Sequence, residues 1–374
     1  MPKASLSSLP ISALFGVIKP SGPTSMSIVN EIKTLVSSSR LFMPSDVAAK
    51  NSASGPRKDK GKGRRKERKG LDAKIGQGGT LDPLADGVLV IGVGKGTKKL
   101  SDFLDCVKEY RTTCLLGCET DSYDSEGSQV RSAPWKHVTR EKVEAALEKF
   151  RGEIEQTPPI FSALKMDGKP LYEYARSGTP LPRPIERRKV TVHSLELVDW
   201  LPSGSHSFRF PEKKFTDEER AKLARSLRGA EIGGADEEIM NEPDMKSAAA
   251  DAAPEDGVED ASDGPPGFVL QMRVSGGTYV RCIAHDVGHA LGSAAHVVTL
   301  TRLTQGRFTM AQKELESSSA ESSEDTIPET RRCIPWEVFS RAVEKRDAGD
   351  EEDLDEEGWK PWEREVIENM EVVE

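Results

Sequence analysis

The sequence predicts an α+β fold whose sheet is largely antiparallel and flanked by helices. Segments that alternate apolar and polar residues are interspersed with amphipathic helical segments, and no internal repeat is present. The order of these segments lacks a regular strand–helix–strand period, which disfavours a doubly wound parallel sheet. Polar stretches poor in aromatic residues are expected not to build a core, namely 44–70, 235–266, 312–330 and 347–374. The rest of the 374 residues suffices for one large domain or two small ones.

The first half of the chain carries five predicted elements. Phe15–Pro20 is an apolar strand that a proline ends, and Ser25–Ser37 has apolar residues at helical spacing. The apolar run at 88–93 predicts a buried strand. A short helix over Thr97–Asp105 and a strand over Tyr110–Leu116 follow it.

The second half begins with the clearest amphipathic helix, Thr139–Phe150, for which Thr139 is a suitable N-cap. Lys189–Trp200 alternates as a strand, but the alternation slips near Ser194, which indicates a β-bulge. The remaining predicted elements are a strand at Phe268–Val274, a helix at Arg281–Leu291 and a β segment at His296–Phe308.

Charge is distributed unevenly along the chain. The formal net charge is −9, yet Arg57–Lys69 holds nine bases and two acids. Residues 235–266 hold 11 acids and one base, and residues 347–374 hold 13 acids and two bases. A basic body with acidic appendages indicates a polyanionic partner. The basic run fits either a nuclear-import signal or an RNA-binding arm, and the sequence does not separate the two.

Cysteine usage and hydropathy bound the cellular setting. Five cysteines without a C-x-x-C pair form neither a disulfide framework nor a zinc ribbon, which indicates a reducing compartment. No apolar run approaches the roughly 20 residues of a membrane helix. We expect an intracellular protein without membrane contact, in the nucleus, the cytoplasm or both. The mitochondrion is an alternative, because Met1–Leu14 is a weak transit-peptide candidate.

One acidic residue stands in an unusual glycine-rich segment, Gly76–Gly87. Pro83 biases Asp82 away from helical backbone, and the glycines allow a ligand to approach closely. The segment is therefore interpreted as a loop that presents a carboxylate just before the strand at 88–93. A surface turn is the alternative, because Gly, Pro and Asp are common turn residues.

Two other patterns are weaker. His285 and His289 stand four residues apart, with His296 beyond them, but Asp286 rather than Glu follows the first histidine and breaks the metalloprotease pattern. The segment Gly92–Thr97 fits neither a P-loop nor a dinucleotide-binding fingerprint. We expect no metal at these histidines.

The segment Gly76–Leu89, continued by Gly92, Gly96, Thr97 and Lys98, resembles the signature of the TruB family of pseudouridine synthases. Further matching segments, in the family's order, are Lys108–Tyr110, Gly117–Asp121, Asp124–Gly127, Phe150–Gly152, Gln156–Pro159, Ser162–Lys165, Leu171–Arg176, Gly277–Arg281, His296–Val297 and Leu300–Leu303. The resemblance implies a pseudouridine synthase fold and the isomerisation of uridine in RNA to pseudouridine.

The resemblance also implies roles for individual residues. Asp82 matches the catalytic aspartate, which acts as a nucleophile or assists glycosidic cleavage. Tyr110 matches the ring that stacks on the flipped base, and Arg281 the arginine that pairs with the catalytic carboxylate. Tyr279 matches a second pocket aromatic, and Leu303 a hydrophobic wall. The resemblance implies no metal and no organic cofactor.

Two positions depart from the family's pattern. Gln77 stands where the family usually has His; it can hydrogen-bond RNA but cannot become cationic. Ile18 replaces the usual Asp before Lys19-Pro20. The basic residues expected to contact RNA are Lys19, Lys165, Arg57, Lys58, Arg64, Arg65, Lys66, Arg68 and Lys69.

Within the family, the expected substrate is the T-arm of transfer RNA, giving pseudouridine 55. Guide-RNA-dependent, dyskerin-like enzymes are an alternative, but they carry Lys at the position of Leu84 and a C-terminal PUA domain. A non-catalytic transfer-RNA chaperone is the other alternative.

We expect a monomeric, eukaryotic and fungal-like enzyme. Its expected layout is a catalytic domain at 14–310 with a basic insert at 44–70 and a disordered acidic insert at 211–266, then an acidic tail at 311–374 without a complete PUA domain.

Overall fold

The computed structural model describes residues 9–52, 72–227, 264–310, 330–350 and 353–374. Two compact units divide the chain. The first unit comprises Met1–Lys108 and Thr301–Glu374, and the second comprises Glu109–Leu300. The second unit is thus a continuous stretch of chain inserted into the sequence of the first. The basic run Arg57–Lys69 lies outside the described residues.

Helices and strands alternate irregularly along the chain. The described helices are α1 (Ser25–Ser37), α2 (Ser45–Ser52), α3 (Asp102–Asp105), α4 (Arg140–Leu147), α5 (Leu171–Ser177), α6 (Asp217–Leu227), α7 (Val280–Ala290), α8 (Trp336–Ala348) and α9 (Pro361–Asn369), with 3-10 helices at Gly94–Lys99 and Glu148–Phe150. The described strands are β1 (Ala13–Lys19), β2 (Ile75–Gln77), β3 (Asp86–Val93), β4 (Lys108–Leu116), β5 (Cys118–Thr120), β6 (Gln129–Ser132), β7 (Gly152–Gln156), β8 (Lys165–Met166), β9 (Lys169–Pro170), β10 (Arg188–Leu201), β11 (Gly267–Val274), β12 (Ala295–Gln305), β13 (Phe308–Thr309), β14 (Arg331–Arg332), β15 (Ile334–Pro335) and β16 (Glu371–Val372).

In the first unit, the sheet runs in the order β15, β1, β3 and the C-terminal end of β12. β1 is antiparallel to β3, with Leu14 opposite Gly92, whereas β3 is parallel to β12, with Asp86 opposite Thr301. β2 adds an antiparallel partner to β3, and β16 adds one to β1. The loop between β2 and β3 contains Asp82 and is therefore attached at both ends to this sheet.

One apolar cluster packs α1, α8 and α9 against the first unit's sheet. The predicted apolar stripe of α1 is buried, including Ile28, Ile32 and Val36. The helix begins after Thr24, whose hydroxyl accepts a hydrogen bond from the amide of Ser27 at 3.1 Å. The predicted bounds of α1 are confirmed.

In the second unit, the sheet order is β12, β4, β11, β10 and β7, and β10 is antiparallel to both neighbours. The register of β10 shifts between Val192 and Ser194, which confirms the predicted bulge. Thr139 caps α4, as predicted, by accepting a hydrogen bond from the amide of Lys142.

The α+β fold class with a largely antiparallel sheet is confirmed. Among the described residues, no helix combines the length and hydropathy needed to cross a bilayer.

The expectation that residues 347–374 contribute nothing to a core is wrong. Trp359, Trp362 and Val366 are buried in the first unit's apolar cluster, together with Phe339 of α8. The many acids of this segment lower its average hydropathy, but the few large apolar residues lie on one side of α9 and pack inward. The described part of the predicted acidic tail is therefore folded.

Parts of the two predicted inserts are also helical. In the 44–70 segment, α2 buries Ala48, and in the 211–266 segment, α6 buries Leu223 and Leu227, which lie four residues apart. Residues 53–70 of the first insert and 228–263 of the second lie outside the described residues. A second difference concerns the predicted helix at Thr97–Asp105, which is divided between a 3-10 helix and α3.

Candidate active site

Hydrogen bonds to the start of α1 anchor the Asp82 loop at the residue before the acid. The Ser25 hydroxyl donates to the carbonyl of Leu81 at 2.8 Å and accepts from the amide of Leu81 at 2.9 Å. Ser25 is buried, and the Asp82 carbonyl accepts from the amide of Ala85 at 3.1 Å. The half-buried Asp82 thus sits on a braced turn, which favours the predicted loop over an unconstrained surface turn.

Lys19 lies beneath the same loop, and its predicted RNA contact is wrong. Its side chain is 0% exposed, and its ammonium group donates to the carbonyls of Pro20 at 2.8 Å, Pro83 at 3.3 Å and Ala85 at 2.6 Å. A buried ammonium group requires such acceptors because desolvation of the charge is costly. Lys19 therefore holds the backbone on the C-terminal side of Asp82.

Two buried side chains of β12 hold the N-terminal side of the loop. Arg302 donates from Nε to the Val88 carbonyl at 2.7 Å and from Nη2 to the Gly79 carbonyl at 3.1 Å. Gln305 donates to the carbonyls of Gly78 and Phe103. The sequence interpretation assigned no role to Arg302 or Gln305. A charged residue within an otherwise apolar strand was the available signal.

Close backbone packing makes glycine necessary at one end of the loop. Gly87 has φ +97°, and a Cβ built there would lie 2.3 Å from the Arg302 carbonyl oxygen. Gly79 likewise has positive φ, at +131°. An L-residue at Gly87 would meet both a backbone clash and an unfavourable conformation. The glycine pattern thus reflects the close approach of β3 to β12.

Gln77 and Leu303 are the other predicted site residues of the first unit. The Gln77 side chain donates to the Thr80 hydroxyl at 3.2 Å, and its Oε1 is buried without a hydrogen-bond partner among the described residues. Leu303 is 8% exposed and packs in an apolar cluster with residues such as Phe103 and Phe308. Leu303 is thus mainly a core residue.

The second unit holds Tyr110, Tyr279 and Arg281. Tyr110 lies in β4 and is buried. Tyr279 precedes α7, and the Gln156 side chain binds both its amide, at 3.0 Å, and its carbonyl, at 3.2 Å. The Arg188 guanidinium group lies 5.3 Å from the centroid of the Tyr279 ring. The backbone of Tyr279 is therefore fixed by a side chain from β7.

Arg281 is buried at the start of α7 and is bound within the second unit. Its guanidinium group donates to the carbonyls of Ser122 and Phe161, and lies 3.5 Å from the Asp124 carboxylate. Asp82 belongs to the first unit, so its predicted pairing with Arg281 stays a prediction. Lys165 is exposed, as an RNA contact requires. The seven predicted RNA-binding residues between Arg57 and Lys69 lie outside the described residues.

Side chains capable of metal binding converge at Glu119, His285 and His289, whose ligand atoms all lie within 4.8 Å of one another. However, Nη2 of Arg131 lies 3.1 Å from the Glu119 carboxylate and 3.0 Å from Nε2 of His289. A guanidinium group in this position already neutralises the carboxylate. The arrangement therefore fits a network of ion pairs better than a metal site.

The family model for the N-terminal domain of the TruB family pseudouridylate synthases matches residues 66–214. The chain is 40% identical over 334 residues to tRNA pseudouridine synthase 4 of Schizosaccharomyces pombe. The match covers 79% of this chain and 79% of that protein. The chain belongs to the TruB family. The resemblance carried by the Asp82 segment is thereby confirmed.

Other TruB-family relatives extend the match over the chain. The tRNA pseudouridine synthase 4 of Saccharomyces cerevisiae is 34% identical, covering 82% of this chain and 79% of that protein. Pseudouridylate synthase TRUB1 of Mus musculus is 30% identical, covering 91% of this chain and 77% of that protein. Among solved structures, a Cbf5-Nop10-Gar1 complex matches 91% of this chain and 57% of its own chain, at 18% identity and a TM-score of 0.43.

Proposed function

We propose that this TruB-family enzyme isomerises uridine to pseudouridine in transfer RNA. The observation that carries the proposal is the Asp82 loop, which the family's signature contains and which Ser25, Lys19 and Arg302 hold by buried hydrogen bonds. A carboxylate that acts on a glycosidic bond needs a fixed direction of approach, because small displacements of a reacting group are costly in rate.

The proposed reaction breaks the bond between N1 of uracil and C1′ of the ribose and forms a bond from C1′ to C5. C5 then loses its hydrogen as a proton and N1 gains a proton, so the net change is an isomerisation. Asp82 acts as nucleophile or assists the cleavage. The base must leave the RNA stack for this chemistry. Tyr110 is proposed to stack on the flipped base, and Arg281 to keep the catalytic carboxylate ionised. Tyr279 and Leu303 are proposed to bound the base, and Gln77 and Lys165 to contact the RNA.

Position 55 in the T-arm is the proposed target. The names of the two fungal relatives support transfer RNA as the substrate. Leu84, rather than the Lys of the guide-dependent subgroup, supports an enzyme that recognises its RNA without a guide. We infer that it acts as a monomer, with the basic run Arg57–Lys69 as a further RNA contact or as a nuclear-import signal.

The Asp82→Asn variant tests the catalytic assignment. Wild-type protein and variant are incubated with a transfer-RNA transcript, and pseudouridine is mapped through its carbodiimide adduct. We expect wild type to convert position 55, and the variant to bind the RNA without converting it. Asp105→Asn, a change at an exposed acid of the same unit, is the matched control and should keep full activity.

The possible outcomes separate the alternatives. Conversion by Asp82→Asn would show that another group performs the chemistry. Binding without conversion by wild type would favour the chaperone alternative. Conversion that depends on an added guide RNA would favour the dyskerin-like alternative.

A further inference from the structure

The second unit contains a buried network of charges centred on Glu119. The Glu119 side chain is 3% exposed; one carboxylate oxygen lies 3.1 Å from Nε2 of His285, and the other lies 3.0 Å from Nε2 of His289. Nη2 of Arg131 lies 3.1 Å from the same oxygen as His289. The network joins β5, β6 and α7.

His285 is the most enclosed member of the network. Its side chain is 1% exposed and lies between two carboxylates, with Nδ1 3.0 Å from Asp286 and Nε2 3.1 Å from Glu119. The contact at Nε2 is an ion pair rather than a well-directed hydrogen bond. An ionised carboxylate accepts hydrogen bonds and donates none. A carboxylate beside each ring nitrogen therefore favours the protonated form of His285, in which both nitrogens carry a proton.

The charge state follows from this enclosure. Burial alone lowers the pKa of His285, but Asp286 and Glu119 outweigh burial and raise that pKa to about 9. Burial likewise opposes the charge of Glu119, yet His285 and His289 hold the Glu119 pKa below its ordinary value. The positive charges of Arg131 and protonated His285 then lie beside the carboxylates of Glu119 and Asp286.

The His285 ring also packs on Tyr123. The two ring centroids are 4.2 Å apart, a distance at which an imidazolium is attracted to the face of an aromatic ring. Tyr123 is buried and has φ +63°, which is rare for a bulky residue and requires support from the surroundings. The turn at 121–124 is therefore held in an unfavourable conformation by its side-chain contacts.

This turn supplies the groups that bind Arg281. The Ser122 carbonyl accepts from Nη1 of Arg281, and Asp124 lies beside the same nitrogen. The Ser122 hydroxyl donates to Asp124 at 2.6 Å, which ties the two acceptors together. The orientation of Arg281 thus depends on the conformation of the residue between them, Tyr123.

We propose that His285 is a positioning residue for pseudouridine formation: as a buried cation on the face of Tyr123, it fixes the turn that orients Arg281. The inference rests on the proposed function, in which Arg281 serves the catalytic carboxylate. It adds a residue that acts through Tyr123 and touches neither substrate nor Asp82.

The test uses the full chain and two variants. His285→Phe keeps a ring against Tyr123 and removes the charge, whereas His289→Gln changes another partner of Glu119 and leaves the His285 ring in place. We expect His285→Phe to lower the single-turnover rate on a U55 transfer RNA about tenfold, with KM changed less than about twofold. His289→Gln should stay within about twofold of wild type in both constants.

Two further readouts separate positioning from general damage. In wild type, the rate should fall as pH rises through about 9, where His285 loses its proton, and this fall should be absent in His285→Phe. The titratable groups that face the His285 ring are Asp286, Glu119, Tyr123 and His289, and Arg131 lies beside Glu119. Ionisation of the RNA affects both proteins alike. Nitrogen-15 NMR of wild type should show both His285 nitrogens protonated at pH 8.

Several results would overturn the inference. These are a neutral His285 at pH 8, zinc bound to its nitrogen after purification, or an unchanged single-turnover rate in a folded His285→Phe. If His285→Phe does not fold, the NMR measurement on wild type still decides the charge state of His285. The Asp286→Asn variant then takes the place of His285→Phe in the kinetic comparison. Failure of wild type to form pseudouridine would instead refute the proposed function and leave the NMR result intact.

Discussion

At the scale of single residues, buried polar side chains serve the loop that presents Asp82. Lys19 and Arg302 are charged and almost completely buried, and each donates to backbone carbonyls around the loop. The sequence shows that Lys19 is a cation next to a proline, but it does not show where the ammonium group points. Because its burial was not known from the sequence, Lys19 was predicted to contact RNA.

Substitution of Lys19 by Met should destabilise the protein and disturb the loop. Lys19→Met keeps most of the side-chain volume but removes the ammonium donor from the carbonyls of Pro20, Pro83 and Ala85, of which that of Pro83 still accepts from the amide of Gly22. We therefore expect a loss of roughly 2–4 kcal/mol in the free energy of unfolding. Urea denaturation measures the effect. Lys99→Met, at an exposed lysine of the same unit, should change the stability by less than about 0.5 kcal/mol. Equal stabilities for the two variants would contradict the assigned role of Lys19.

His285 should make stability depend on pH between neutral and alkaline conditions. Its folded-state pKa, about 9, exceeds the ordinary value of 6.5. The stabilisation is therefore fully present below pH 6.5 and is lost as pH rises through 9, by roughly 3 kcal/mol in all. Urea denaturation at a series of pH values measures this loss. A decline of the same size in His285→Phe would exclude His285 as its source.

At the scale of elements, local sequence signals predicted most bounds well. The bounds of helix α1 follow from its apolar spacing, and the cap of α4 follows from Thr139, whose hydroxyl accepts from an amide of the first helical turn. The bulge at Ser194 shows in the alternation because the side-chain period of a strand is two. The division of Thr97–Asp105 was not predictable, because it depends on packing against β1 and β3 rather than on local propensity.

The contact between β3 and β12 should tolerate no side chain at Gly87. Gly87→Ala places a methyl group against the Arg302 carbonyl at a positive φ, so we expect a loss of roughly 3 kcal/mol or more in stability. Gly152→Ala is the matched control, since Gly152 also has positive φ, +79°, but has nothing within 4 Å of the built Cβ. The control should lose only about 1 kcal/mol. Thermal unfolding of both variants distinguishes backbone conformation from steric conflict.

At the scale of the whole molecule, composition alone misjudged the C-terminal segment. Its acids made 347–374 resemble a solvated tail, whereas Trp359 and Trp362 complete an apolar cluster with the N-terminal helix α1. The average charge of a segment is set mainly by its exposed residues. Whether the segment packs into a core depends on two or three large apolar side chains. The candidate catalytic residues were predictable from the family's signature, but the residues that support them were not.

Trp362 should be essential for the stability of the first unit. Its side chain is 1% exposed, so Trp362→Ala should lower the free energy of unfolding by about 3–5 kcal/mol. Hydrogen exchange should show reduced protection in β1 and β3. Leu354→Ala, at a residue 60% exposed, is the control in the same segment and should stay within about 0.5 kcal/mol of wild type. Similar protection in both variants would mean that the segment is dispensable.

The pairing of β1 with β16 sets an order of events during synthesis. Ala13 lies opposite Val372, so the strand made first waits for one made more than 300 residues later. At the usual rate of about 5–20 residues per second, that interval is on the order of tens of seconds. Residues 109–300 emerge from the ribosome as one continuous unit during the wait. The loop that bears Asp82 therefore belongs to the part of the chain whose core is completed last.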